Sequence, residues 1–129
     1  MNKPKSREGG MRLLAVDDNP IALEMLPKLF PQPDFAFVGV ARSGPEALDI
    51  LSTAGADIDC MLLDIEMPGM DGIELCRRIR AVPGHRHTPI IMLTARDDGD
   101  TIERAFVAGA NDHLVKRNRV REYIGRVKV

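Results

Sequence analysis

Four short apolar runs, each ending on a polar residue, constrain this chain more than any other feature. LLAV leads into Asp17 and Asp18, MLL into Asp64, IIML into Thr94, and HLV into Lys116. Such runs are too short for buried helices and match strands, where a few residues suffice to cross a sheet. If the strands are parallel neighbours, their polar ends collect along one edge. That edge then holds three carboxylates, a hydroxyl and an ammonium, with Glu66 beside Asp64.

The segments between the runs read as helices. Asn19 and Pro20 form an N-cap with proline in the first turn, followed by Ile21, Met25, Leu26, Leu29 and Phe30 at helical spacing. Pro27 falls inside that pattern, which predicts a kink or early end because proline lacks an N–H and clashes with the preceding turn. Phe35 to Val40 is the second strand, and Ser43 with Glu46 forms a capping box for a helix ending at Gly55. Asp71 and Glu74 repeat that pattern after the loop MPGMDG, opening a helix over Ile73, Leu75, Cys76 and Ile79. Asp97 to Asp100 cap a fourth helix ending at Gly109, and Asn118 opens a fifth over Val120, Tyr123, Ile124 and Val127.

Five alternating strand and helix units demand right-handed crossovers and a parallel sheet covered on both faces. In the order 2-1-3-4-5 the winding reverses between strands one and three, where ligands bind outside the carboxyl ends. Asp17 and Asp18 then face Asp64. Other orders separate these residues, so the acidic clustering itself favours this one.

Composition narrows the class. At 129 residues the chain is one domain, and its balance of 44% hydrophobic and 29% charged residues is that of a soluble globular protein. No apolar stretch approaches the ~20 residues of a membrane span. Residues 1–10 have no apolar segment of the secretory kind behind their basic residues and read as a flexible tail of a cytoplasmic protein. The net charge of -1 gives no overall pull toward nucleic acid. The basic stretch from Lys116 to Lys128 is a solvated helix face or a contact surface. Cys60 and Cys76 lack the paired spacing of zinc or redox sites and read as packed thiols. His85 and His87 have no further ligands nearby in sequence and read as loop residues.

Converging aspartates are costly without a cation, since carboxylates ~4 Å apart repel by about 4 kcal/mol at an effective dielectric near 20. Oxygen-only ligands favour magnesium over zinc. Asp18 and Asp64 are candidate direct ligands, Asp17 acts through water, and a backbone carbonyl just after Asp64 completes the set. Asp64 can then attack phosphorus and become an aspartyl phosphate. Lys116 offers a point charge and Thr94 a hydroxyl to the phosphoryl oxygens. Engagement of Thr94 by phosphate makes the site a switch.

VDDNP, MLLDIEMPGMDG, IIMLTA and GANDHLVK together resemble the motifs of the receiver domain of two-component response regulators, over Met11 to about Val127. The resemblance implies a flavodoxin-like (βα)5 fold over residues 11–129. It implies Asp64 as phosphoacceptor, supplied by a histidine kinase or phosphotransfer protein. It places Mg2+ on Asp17, Asp18, Asp64 and the Glu66 backbone carbonyl, with Thr94 and Lys116 on the phosphate. The surface of the fourth helix, fifth strand and fifth helix is the implied output, directed at an output domain, a downstream protein or a phosphorylation-dependent homodimer. The implied protein is a switch that assists its own phosphotransfer and dephosphorylation, turns over no separate substrate, and binds neither nucleic acid nor membrane. It is a stand-alone receiver or one part of a longer regulator.

Departures from the family pattern carry expectations of their own. Arg117 stands where proline commonly follows the lysine, which predicts a trans or differently shaped loop. His113 stands at the position of the switch aromatic. Glu66 and Arg96 occupy positions that set phosphate lifetime in the family, and their opposite charges suggest a pair across the pocket mouth. Pro27 would reshape the first helix, which commonly helps dock the kinase. Two other functions compete: a phosphorylation-independent protein-binding module, and a magnesium phosphohydrolase, which would need a further domain to enclose its substrate.

Overall fold

The structure is a computed structural model that describes residues 10–54, 57–96, 98–116 and 127. Its elements run β1 (Met11–Val16), α1 (Pro20–Leu29), β2 (Phe35–Ala41), α2 (Gly44–Ala54), β3 (Cys60–Asp64), α3 (Gly72–Arg80), β4 (Ile90–Thr94), α4 (Gly99–Ala108) and β5 (Asp112–Val115). The five strands form one parallel sheet in the order β2-β1-β3-β4-β5, as the acidic clustering requires. Of the final helix expected from Asn118, only Val127 is among the described residues, where it is helical and buried. Arg117, Asp97, Gly55 and residues 1–9 lie outside them.

The apolar runs are continuous because both faces of the central strands are covered. Leu14, Val16, Met61, Leu63, Ile90 and Met92 point to the core beneath α2, α3 and α4. Their alternates Leu13, Ala15, Cys60, Leu62, Ile91 and Leu93 join Leu26 of α1 and Phe30 just after it on the other face, with Val127. Every residue of β3 and β4 is buried, the polar end residues Asp64 and Thr94 included. Both cysteines are reduced and buried. Among the described residues no helix is long and apolar enough to cross a membrane.

The helix starts follow the sequence with adjustments. Asn19 caps α1 by accepting from the Ile21 N–H at 2.9 Å. Ser43 Oγ accepts from Glu46 N at 3.2 Å, while the Glu46 carboxylate reaches one residue further back, to Arg42 N at 2.6 Å. Asp71 caps α3, but Glu74 turns to Arg77 and Arg78 instead of closing a capping box. Asp98 is the N-cap of α4, accepting from Thr101 N at 2.7 Å.

The early end expected at Pro27 does not occur. The helix continues to Leu29, and the Phe30 N–H still donates to Leu26 O at 3.0 Å. A proline this late in the helix removes one N–H only, and buried Leu26 and Phe30 anchor the turn on either side.

Candidate functional site

The carboxyl ends of β1, β3, β4 and β5 bring the predicted residues together. Asp17 is held by its backbone, whose N–H donates to Ala41 O at 3.0 Å, and its Oδ1 accepts from Asn19 N at 2.9 Å. Asp64 closes β3 in register with Leu93. One carboxylate oxygen from each of Asp17, Asp18 and Asp64 lies within 4.8 Å of the others. Asp17 and Asp64 are buried, at 1% and 0% exposure, and Asp18 is half-buried. Lys116 reaches in from the end of β5. Its N–H donates to Thr94 O at 2.8 Å, and its Nζ lies 2.9 Å from Asp64 Oδ1 and 3.3 Å from Asp17 Oδ2.

One ammonium between two buried carboxylates does not neutralise the site. Burial pushes the Asp64 carboxyl up to about 7, against the opposing pull of Lys116 and with Asp17 adding to the rise. Burial acts on Lys116 in the opposite direction, but Asp64 and Asp17 outweigh it and its pKa is raised. Among the described residues none donates a hydrogen bond to buried Asp64 Oδ2, a condition that natural interiors seldom tolerate. An oxygen-ligated divalent cation fits this donor set. Asp17, Asp18 and Asp64 would hold it.

The surroundings of Thr94 differ from expectation. Its buried hydroxyl donates to Glu66 Oε2 at 2.6 Å and accepts from Arg96 N at 2.9 Å, while Glu66 Oε1 accepts from Ala95 N at 3.0 Å. The anticipated Glu66 to Arg96 pair does not form, because Arg96 Nε turns back to the nearer Asp98 Oδ2 at 3.2 Å. His113, half-buried on β5, meets the ring of Phe106 on α4 edge-on, with centroids 6.1 Å apart. His85 is buried with Nδ1 2.9 Å from Thr88 Oγ1, far in the chain from the acidic edge.

Gly72 adds a position to the site that the sequence motifs do not single out. It opens α3, donates its N–H to Ile65 O at 2.9 Å, and approaches so closely that a Cβ would lie 2.3 Å from Asp64 O. Only a missing side chain lets the first turn of α3 lie against the Asp64 backbone. A glycine at a helix start, where it has no propensity advantage, was the signal available in the sequence.

Comparison with known proteins agrees with this geometry. The response regulator receiver domain family matches residues 13–128. The transcriptional regulatory protein ResD of Bacillus subtilis is 39% identical over 117 residues, covering 91% of this chain and 46% of ResD. The cyclic di-GMP phosphodiesterase response regulator RpfG of Xanthomonas campestris is 40% identical over 118 residues, covering 91% and 31%. The chain thus spans less than half the length of either relative. Among solved structures, a chain of the CheX-CheY-BeF3-Mg complex from Borrelia burgdorferi superposes with a TM-score of 0.83 at 27% identity, covering 91% of this chain and 86% of that one.

Proposed function

The chain belongs to the response regulator receiver domain family, the receivers of two-component signal transduction, and from that premise we propose that Asp64 is its phosphoacceptor. One observation carries the assignment. Asp64 is buried, has one oxygen without a donor among the described residues, and lies beside both Lys116 and the Asp17 and Asp18 carboxylates.

In the reaction, an Asp64 carboxylate oxygen forms a bond to phosphorus as the P–N bond of a donor phosphohistidine breaks. The electron pair leaves with the imidazole nitrogen, which takes up a proton from solvent. The donor is a histidine kinase or a phosphotransfer protein. Lys116 compensates the charge on the new acyl phosphate, and the Thr94 hydroxyl donates to one of its oxygens. Asp17, Asp18, Asp64 and the Glu66 backbone carbonyl would hold Mg2+, which when bound would offset the negative charge shared by the carboxylates and the phosphate. The Borrelia relative, whose complex contains beryllium fluoride and magnesium, supports that cofactor.

Capture of Thr94 is then communicated toward His113, whose ring touches Phe106 of α4. Exposed Phe106 and Val107 make that helix a suitable output surface. Its target is an output domain, a downstream protein or a second copy of the chain. Residues 11–129 act as a phosphorylation switch in the cytoplasm.

The test is intact mass after incubation with Mg2+ and a small acyl phosphate. Wild type gains one acid-labile phosphoryl group and Asp64→Asn gains none. A phosphoryl group retained in Asp64→Asn would overturn the assignment.

A further inference from the structure

The Thr94 hydroxyl carries one proton, and it is already engaged in the hydrogen bond donated to Glu66 Oε2. The same carboxylate takes the adjacent Ala95 N–H through its second oxygen, so two neighbouring donors at the end of β4 converge on a single anion. That anion belongs to the loop directly following Asp64, and Glu66 is half-buried. A phosphoryl group on Asp64 needs the Thr94 proton, and a hydroxyl cannot donate one proton to two acceptors.

We propose that Glu66 is a positioning residue acting as an internal latch: its carboxylate occupies the Thr94 and Ala95 donors in the unmodified protein and must be displaced before a phosphoryl group can use them. The proposal rests on Asp64 as the phosphoacceptor and adds the competition that precedes switching. Both competitors are anions accepting charge-assisted hydrogen bonds, so what the latch gains by holding the donors is subtracted from phosphoryl binding. The latch raises the threshold for capture of Thr94. It also explains why Arg96 is free to pair with Asp98, since the Glu66 carboxylate is satisfied by β4.

Glu66 also adds negative charge near Asp64, so release of the latch has to be separated from removal of the charge. Glu66→Asp keeps the charge but is one methylene too short to reach both donors. Glu66→Gln removes the charge yet leaves one acceptor oxygen for Thr94. Glu66→Ala removes both. The probe is beryllium fluoride with Mg2+, titrated by calorimetry and by amide NMR on the full chain.

The latch predicts that Glu66→Asp binds the probe about tenfold more tightly than wild type, equal to about 1.4 kcal/mol. Glu66→Ala binds more tightly than Glu66→Gln, and the Ala95 amide resonance moves in all three variants before any ligand is added. A wild-type affinity in Glu66→Asp together with equal gains in Glu66→Gln and Glu66→Ala assigns the whole effect to charge and overturns the latch alone. Failure of wild type and every variant to bind removes Asp64 as phosphoacceptor, and the latch with it.

Discussion

The two edges of the sheet solve opposite problems with one long basic side chain each. At the amino end of β4 and β5, Arg80 from the last turn of α3 places all five guanidinium N–H groups on neutral oxygens. It reaches Gly109 O at 3.1 and 2.7 Å, His85 O at 3.0 Å, Thr88 O at 2.7 Å and Asn111 Oδ1 at 2.9 Å. Asn111 in turn exchanges backbone and side-chain bonds with Ile90 at the start of β4. At the carboxyl edge, Lys116 has two buried aspartates to serve, and one Asp64 oxygen has no donor among the described residues. The edge whose carbonyls Arg80 caps fixes the fold. The unsatisfied edge is where binding free energy remains to be collected.

The largest expected difference between the edges lies in pH. In the fold the Asp64 carboxyl titrates at about 7, against 3.8 for the unperturbed group, so the native state holds this proton more tightly than the unfolded state does. Its contribution to stability is therefore greatest below about pH 4, declines as pH rises toward about 7, and is constant above, with a full span of about 4 kcal/mol at most. Urea unfolding without divalent cations, taken as the difference between wild type and Asp64→Asn, isolates this contribution from the other carboxylates. The variant should gain on wild type steadily across that window. A pH-independent difference would mean that the carboxylate is solvated and the edges do not differ in this way.

Arg80→Ala tests the other edge. It strands several carbonyls and the end of α4, where Gly109 adopts φ 117° beneath the arginine stem. Several hydrogen bonds to a charged group are lost together, for a cost of about 3 kcal/mol. Arg80→Lys should recover little, because one ammonium cannot reproduce the planar fork. Both variants should keep the wild-type gain in stability on adding Mg2+, measured as the shift in urea midpoint. Loss of that gain would show the two edges to be coupled.

Gly72→Ala joins stability to chemistry. The new Cβ would lie 2.3 Å from Asp64 O, and the nearby atoms are backbone, so β3 or α3 has to shift. Overpacking of this kind costs about 2 kcal/mol. Unlike Arg80→Ala, it should also slow phosphorylation of the folded protein by an acyl phosphate. Wild-type phosphorylation in a destabilised Gly72→Ala would reduce the glycine to a packing role.

The contrast also explains what the sequence could show. Strands β3 and β4 were legible because burial on both faces makes them uninterrupted apolar runs, and Asp64 and Thr94 were legible because those runs stop there. The Arg80 edge left no trace, since four of its five contacts are to backbone carbonyls, which no residue type announces. Glu66 was visible as a charge, but loop side chains follow no period, and its turn toward Thr94 and away from Arg96 depends on where β4 ends. At Pro27 local propensity allows an early end that the burial of Leu26 and Phe30 overrides.

The smallest expected effect falls on Asp18, the half-buried member of the acidic trio. Without a cation its charge faces Asp17 and Asp64 and receives partial screening from water, so Asp18→Asn should stabilise the metal-free protein by about 1 kcal/mol or less. With Mg2+ the sign reverses. A ligand at a hundredfold excess over its Kd stabilises the native state by about 2.7 kcal/mol, and a variant lacking one carboxylate ligand should gain distinctly less at the same concentration. Unfolding at pH 8, where Asp64 is mostly ionised, with and without Mg2+, gives both numbers from one pair of titrations. Calcium at equal ionic strength separates site binding from general screening, since a small octahedral site discriminates between the two ions and screening does not. If Asp18→Asn destabilises the metal-free protein or keeps the full magnesium response, Asp18 stands outside the cation site. The unsatisfied edge then reduces to Asp17, Asp64 and the single lysine between them.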